Sequence, residues 1–445
     1  MQLADLTATR LALPDRDINH VLAYGQSLSC GWDGWPILTR HPRHDTLMLG
    51  QSVHPARHDA ETWQPIGALR LRPLIATLQN VQTGQLLDNT PSGQVVTAVG
   101  ETVLETALNE WRGRALASGD ATIGANRLLA SSCGVGGRSI ESLMKDAAPN
   151  LFQRLRQCAL SGQNAAHAIG QTYAITALLL LQGEANNLAL DGASAAALTY
   201  KALLRRFCDD FLAEVEEITA QGTRAVIFTY QTGGAYASDG NDIPQAQLEL
   251  ALESPGIVMV APVYPLPHTP SGHLDANGYR WLGAQFGKVM HRVLNTGQIF
   301  RPTHPIIARC QDTTITVAFA VPVPPLVWGH PIPSNPDATI QNRGFTARDE
   351  LGDIPIVSVE IDAPATVRIQ VARKPQGRAL LAYASAATGG RGCLHDSDND
   401  MSATRYHVTP PLSDGFQTPA PALEGKPYPL MNWCSAFTIK IGGTV

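Results

Sequence analysis

The sequence predicts an α/β fold, an open parallel sheet with helices on both faces, followed by an all-β region. Three observations carry this reading. Short apolar runs bounded by glycine or polar residues recur up to about Asn295, as buried parallel strands do. Long stretches with apolar residues three or four apart lie between them. After Gly297 prolines become frequent and the apolar period shortens to two.

The strands are read at Val21–Tyr24, Arg127–Ser131, Ala177–Gln182, Ala225–Tyr230 and Ile257–Ala261. The clearest helix is Ala196–Gln221, where Leu203, Leu204, Phe207, Phe211, Leu212, Val215 and Ile218 form one apolar face and Gly222 supplies a stop signal. A second helix, Tyr279–Leu294, closes the region, and alternation of strand and helix builds a layered parallel sheet. Beyond it Thr314–Val321, Ile356–Ile361, Thr366–Val371 and Ala436–Ile441 alternate apolar and polar residues. This predicts a sandwich or jelly roll over 301–445 behind a first domain of 1–300, the boundary lying between Gly297 and Pro305. The stretch from about 40 to 92 is a long excursion of weak periodicity in which no element is assigned.

Composition narrows the function. A chain of 445 residues has room for two to three domains at ~150 residues each. With 44% hydrophobic and 16% charged residues it is globular. Its net charge of −5 provides no basic field for a phosphate backbone, which argues against nucleic acid as a partner. The longest apolar runs fall far short of the ~20 residues that span a bilayer. Met1–Arg10 lacks a basic start followed by an apolar run, so a cytoplasmic location is expected, with release by lysis or a non-Sec route as the other path. Seven cysteines without a C-x-x-C pair read as mostly buried thiols, and no metal is expected. The sequence does not fix the oligomeric state.

Residues at the ends of the strands suggest the chemistry. The first strand ends in Tyr24-Gly25-Gln26-Ser27, and a serine at the carboxyl edge of a parallel sheet sits where such folds hold ligands. Gly50-Gln51-Ser52 repeats the tripeptide in what reads as a plain loop, so context must decide. A glycine-rich turn, Gly134-Val135-Gly136-Gly137-Arg138-Ser139-Ile140, comes after the next strand and can bring bare backbone N–H groups to an oxyanion. Gln182-Gly183-Glu184 ends a third strand. His273 precedes the closing helix, and an imidazole is what a serine hydroxyl needs to act as a nucleophile.

These blocks, in this order over about residues 20–295, resemble the SGNH/GDSL hydrolase superfamily. The match is with its sialate O-acetylesterase-like, carbohydrate acetylesterase branch: Gly25-Gln26-Ser27, Gly136-Gly137-Arg138-Ser139-Ile140, Gln182-Gly183-Glu184, and His273 five residues before Gly278-Tyr279. The resemblance implies an SGNH-type, flavodoxin-like sheet. It implies Ser27 as nucleophile and His273 as general base. The oxyanion hole would come from the N–H groups of Ser27 and of Gly136 or Gly137, with the Gln182 amide. No cofactor is implied, and the substrate would be an acetylated carbohydrate or another small ester. One departure matters, because the family carries an aspartate three residues before the histidine and this chain has Pro270. A Ser–His dyad is then expected, the second imidazole nitrogen being held by a backbone carbonyl or an acid from elsewhere.

Several residues have two readings. Asp275 fits a helix cap better than a third catalytic member. Glu184 is expected to brace the Gly136-Gly137 turn rather than line the site, and Gln26 stands beside it as a supporting residue. Gln231 is read either at the cleft or in a turn. His268 is the rival to His273, which is favoured by register with Gly278-Tyr279. Tyr24, Trp32 and Trp35 cluster near Ser27 as core or as a sugar platform. Asp396, Asp398 and Asp400 alternate as in a calcium loop but lack its glycine and distal glutamate, and read as a solvated turn. The lost aspartate favours one rival to an acetylesterase, an inactive SGNH scaffold kept for glycan binding, as in a phage tail or adhesin; a small-ester or lipid esterase of the same superfamily is the other reading, since the sequence does not show the shape of the pocket.

Overall fold

The structure, a computed structural model, describes residues 11–88, 97–119, 126–332, 339–409 and 420–442. The N-terminal segment Met1–Arg10 and the end of the excursion, 89–92, lie outside the described residues. Among the described residues, ten strands precede residue 263: β1 (Ile18–Gly25), β2 (Leu47–Leu49), β3 (Leu71–Pro73), β4 (Leu78–Asn80), β5 (Leu86–Leu87), β6 (Ala98–Val99), β7 (Arg127–Ser132), β8 (Tyr173–Leu181), β9 (Val226–Gln231) and β10 (Ile257–Pro262). They alternate with α1 (Val103–Ala117), α2 (Ile140–Leu143), α3 (Gln153–His167), α4 (Glu184–Asn187), α5 (Ala197–Thr219), α6 (Asp242–Glu253) and α7 (Ala276–Met290). Seven strands form one sheet in the order β10-β9-β8-β1-β7-β2-β3, parallel except for the antiparallel pair β2 and β3.

All five strands read from the sequence are in this sheet. The excursion adds β2 and β3 to one edge and folds β4, β5 and β6 into a small separate sheet. Strands of two or three residues are too short to show a period.

Along β1, Val21 and Ala23 face a core shared with α1 and α7, while Leu22 and Tyr24 face a second core shared with α3 and α5. Burial on both faces is why the strand reads as one apolar run. Of its two buried polar residues, Asn19 and His20, the histidine lies between the Tyr173 hydroxyl at 2.7 Å and Ser131 Oγ at 3.0 Å, and it has no charged partner among the described residues. Burial drives its pKa down to about 3 and keeps the ring neutral. Because β1 lies between β7 and β8, the chain leaves toward one edge of the sheet and later crosses to the other. The carboxyl end of β1 is thus a switch point, the crevice in which open α/β sheets bind ligands.

Helix α7 is buried at every position. On one side Gly283 and Gly287 let it approach α1 backbone to backbone: a Cβ on either would stand 2.5 Å from Val103 O or 2.6 Å from Ala107 O. On the other side it is covered by the C-terminal region. That region comprises β11 (His304–Gln311), β12 (Thr314–Ala320), β13 (Leu326–Trp328), β14 (Phe345–Asp349), β15 (Gly352–Ile354), β16 (Ile356–Ala363), β17 (Thr366–Val371), β18 (Leu380–Tyr383), β19 (Leu394–Asp396), β20 (Met401–Arg405), β21 (Pro427–Pro429) and β22 (Phe437–Lys440). Two four-stranded antiparallel sheets, β11-β12-β17-β16 and β15-β14-β18-β22, bury Val317, Ile369, Phe345, Leu381 and Phe437 in one core.

The pair β20 and β21 lies on α7 instead. Asn277, Arg280, Trp281 and Gln285 hydrogen-bond to the carbonyls of His407, Arg405, Pro429 and Met431 at 2.7–3.2 Å. The Asp396–Asp400 segment is a tie and not the solvated turn expected. Asp396 is fully buried and accepts from the N–H groups of Val323 and Asn432, while Asp398 pairs with Lys288 and Asp400 with Arg114. No helix among the described residues is long and apolar enough to cross a membrane.

The start of α1 carries a pH-sensitive stability term. Glu105 is fully buried, its Oε2 accepting from Thr102 N at 3.0 Å and Thr102 Oγ1 at 2.6 Å. Burial first, and the neighbouring buried Glu101 second, push its pKa up to about 8 from the ordinary 4.5. The folded chain therefore holds a proton that the unfolded chain releases, and stability falls as pH rises from about 4.5 to about 8. Glu105→Gln keeps the acceptor for Thr102 and removes the titration. Thermal melts should show the variant more stable than wild type at pH 8 by about 1–3 kcal/mol, with the gain gone at pH 4. Parallel pH dependence in the two proteins would dismiss this account.

Candidate active site

The site begins where β1 ends. Gly25 has φ +136°, and a Cβ there would stand 1.9 Å from Leu181 O of β8, so only glycine allows the chain to turn off the strand here. The next turn is a short 3-10 segment, Ser27–Ser29, fixed by Ser29 Oγ to Gln26 O at 2.6 Å and Cys30 N to Ser27 O at 3.0 Å. Ser27 is 7% exposed, just beyond the carboxyl end of β1.

His273 arrives from the other end of the region. A turn closed by Thr269 N to His273 O at 2.7 Å and a bridge between His268 and Leu274 present it just before α7. Asp275 caps that helix, accepting from Gly278 N at 2.7 Å, and does not reach the imidazole as its second partner. His273 Nε2 lies 2.9 Å from Ser27 Oγ. His268 is half-buried, with its Nε2 facing Gly234.

The acid missing at Pro270 has a counterpart that the sequence pattern does not reveal. Asp33 Oδ2 lies 3.2 Å from His273 Nδ1, 2.6 Å from Ser271 Oγ and 3.2 Å from Thr269 Oγ1, and Ser271 Oγ is itself 2.7 Å from Nδ1. Partial burial opposes ionisation of Asp33. The hydrogen bonds from His273, Ser271 and Thr269, with the charge of His273, outweigh it and hold the carboxyl below its usual range. Asp33 has φ +62°, a left-handed conformation that aspartate tolerates better than most residues, in the turn Trp32-Asp33-Gly34. The available signal was a carboxylate six residues after the serine, in a turn that doubles back on it.

The glycine turn flanks Ser27 from β7. Among the described residues the N–H groups of Ser27, Gly136 and Gly137 have no protein acceptor. Ser139 N donates to Asp191 Oδ2 at 3.1 Å, and Arg138 Nη1 pairs with Asp191 Oδ1 at 3.2 Å, which holds the turn at its far end.

Other expected site residues lie elsewhere. The Gln182 amide, expected as an oxyanion donor, is 1% exposed and has both N–H groups engaged, by Asn186 Oδ1 at 2.7 Å and Arg138 O at 3.3 Å, so it braces the turn instead. Glu184 does not brace that turn. Its carboxylate accepts from the Tyr230 hydroxyl and from Thr232 Oγ1 at 2.8 Å, at the end of β9, and burial raises its pKa. Gln26 Oε1 accepts from Ala185 N at 3.0 Å and so ties β1 to the Gln182–Glu184 turn. Gln231 does not face the cleft. Fully buried, it donates to Pro244 O and Ala436 O at 2.9 Å and joins β9 to the C-terminal region. Tyr24 is core, stacked on Phe207, and Trp35 packs against a small cluster with Ile37 and Leu78. Trp32 remains beside the site, its ring 6.2 Å from that of His273, with Tyr236 at 6.3 Å.

An imidazole between a serine hydroxyl and a carboxylate, beside free backbone N–H groups, can activate that hydroxyl for acyl transfer. A solved structure shares the fold. XAC1771, a carbohydrate acetylesterase from Xanthomonas citri, superposes with a TM-score of 0.56 at 12% identity, covering 95% of this chain and 80% of its own. More distant neighbours include NanS, with a TM-score of 0.42 at 13% identity over 64% of this chain and all of its own. Another is Est24, a carbohydrate acetylesterase from Sinorhizobium meliloti, with a TM-score of 0.30 at 9% identity over 63% and 98%. No family model matches the sequence, and neither does any curated protein.

Proposed function

We propose that this chain is a serine esterase of the SGNH type that removes acetyl groups from a carbohydrate. The observation that carries the proposal is the 2.9 Å contact of His273 Nε2 with Ser27 Oγ, with Nδ1 turned to Ser271 and Asp33. A carboxylate only accepts hydrogen bonds, so the Ser271 hydroxyl donates to Asp33 and accepts from Nδ1–H. This fixes the tautomer and leaves the Nε2 lone pair facing the serine, as a general base requires.

His273 takes the Ser27 proton as Oγ attacks the ester carbonyl. The N–H groups of Ser27 and the Gly136-Gly137 turn receive the oxyanion. The imidazolium protonates the departing alcohol, and water activated by the same imidazole then releases acetate from the acyl-enzyme. The inactive-scaffold reading rested on the absent acid at Pro270, and Asp33 removes that support. The acetylated carbohydrate is favoured as substrate by the likeness to XAC1771, a carbohydrate acetylesterase.

The test is turnover of p-nitrophenyl acetate and butyrate together with labelling by a phosphonate ester, located by peptide mass. Preference for acetate, inhibition by the reagent and a label on the peptide holding Ser27 are expected. A label elsewhere with continued turnover would remove Ser27 as nucleophile.

A further inference from the structure

Arg154, on α3, has no exposed surface. Its guanidinium donates to carbonyls alone: Nε to Cys133 O at 2.9 Å, Nη2 to Gly134 O at 3.2 Å, and Nη1 to Ala60 O at 2.5 Å with longer contacts to Arg57 O and His58 O. Among the described residues no carboxylate lies within ion-pair distance of it. The nearby titratable groups are Cys30, Cys133, Cys158, Tyr24 and His58, the last kept neutral by burial. Burial raises the pKa of Cys30, Cys158 and Tyr24 and keeps their protons on. A buried cation without a counter-ion is costly, and burial of such a group is normally accompanied by a carboxylate partner.

Its location suggests what repays that cost. The two carbonyls that Nε and Nη2 hold belong to the residues leading from β7 into the glycine turn. Gly134 packs directly on the nucleophile turn, where a Cβ would stand 1.9 Å from Ser29 Oγ and 3.0 Å from Gly25 O. The next residue, Val135, donates to Gly25 O at 3.0 Å. Arg154 therefore holds the two residues that lead into the Gly136-Gly137 turn, one of which packs on the nucleophile turn, and it fastens the excursion loop at 57–60 to the same point.

We infer that Arg154 is a positioning residue for the oxyanion site: it aims the glycine turn, and its uncompensated positive charge favours the negative charge that forms on the substrate oxygen. This rests on the esterase reading above. Such a charge does nothing for a neutral ground-state ester, so its effect belongs to the transition state.

The experiment compares Arg154→Gln and Arg154→Lys with wild type and with Ser27→Ala, in the full chain. Each is checked for folding by circular dichroism, then measured for kcat and KM on p-nitrophenyl acetate and for inhibition by methylboronic acid, which forms an anionic tetrahedral adduct on serine. For Arg154→Gln, kcat should fall ~10²-fold with KM within about twofold, and the boronic acid Ki should rise in proportion. Arg154→Lys keeps the charge but not the planar set of donors, and should fall by about three- to tenfold. An unchanged kcat in folded Arg154→Gln overturns the inference, as does a lost kcat with unchanged boronic acid affinity. If the Gln variant does not fold, the Lys variant decides: kcat and boronic acid affinity should fall together, and no change in either overturns it. If Ser27→Ala turns over like wild type, the esterase reading has failed instead.

Discussion

Ser27→Ala is expected to bring ester hydrolysis down to background, a loss on the order of 10³-fold or more, and His273→Ala to do nearly the same. The two should not add, because hydroxyl and imidazole act as one unit. Folding should survive, since among the described residues the only hydrogen bond of Ser27 Oγ is the one to His273 Nε2. Its loss should move the thermal midpoint little, the effect staying within about 1 kcal/mol. Turnover of p-nitrophenyl acetate by the folded variants is the measurement. Wild-type rates in Ser27→Ala would transfer the chemistry to another residue, whereas wild-type protein no faster than background would return the chain to the class of binding scaffolds.

Asp33→Asn is the second large effect. Asparagine tolerates the left-handed backbone at position 33 and matches the size of aspartate, so the turn should be kept. The amide, however, can present N–H to Ser271 Oγ. The hydroxyl would then turn and donate to His273 Nδ1, which places the ring proton on Nε2, where it blocks proton abstraction from Ser27. A fall in kcat/KM of ~10²–10³-fold is expected. Ser271→Ala leaves Asp33 at 3.2 Å from Nδ1 and should cost about tenfold or less. Equal rates in Asp33→Asn and wild type would falsify the assigned role. A larger loss in Ser271→Ala than in Asp33→Asn would assign the orientation to the hydroxyl alone.

These two predictions also mark where the sequence was informative. Ser27 and His273 were legible because each sits at a point the chain pattern reveals, the end of an apolar strand and the start of an amphipathic helix. Asp33 was not, because the imidazole's partner comes from 240 positions away along the chain and no spacing encodes that approach. Gln182 and Glu184 were placed correctly at the end of β8 but misjudged in role. Period and propensity locate a residue on an element, while the direction of its polar atoms depends on neighbours such as Asn186, Tyr230 and Thr232. Gln231 shows the same limit, since its partner Ala436 belongs to the other half of the chain. The excursion stayed unread for a different reason, its strands being too brief to repeat.

The cover that β20 and β21 place over α7 has a consequence for how the protein comes to be made. The turn that offers His273 is anchored to the first residues of α7, and the polar residues of that helix find their partners between 398 and 432. While the chain is being synthesised, nucleophile, glycine turn and imidazole all emerge well before those partners. A nascent chain halted near residue 300 would thus carry the whole reactive set with its last helix uncovered, and competence should appear late, with the strands that close over that helix. Shortening the gene to residues 1–300 would discard the support of the base along with the strands.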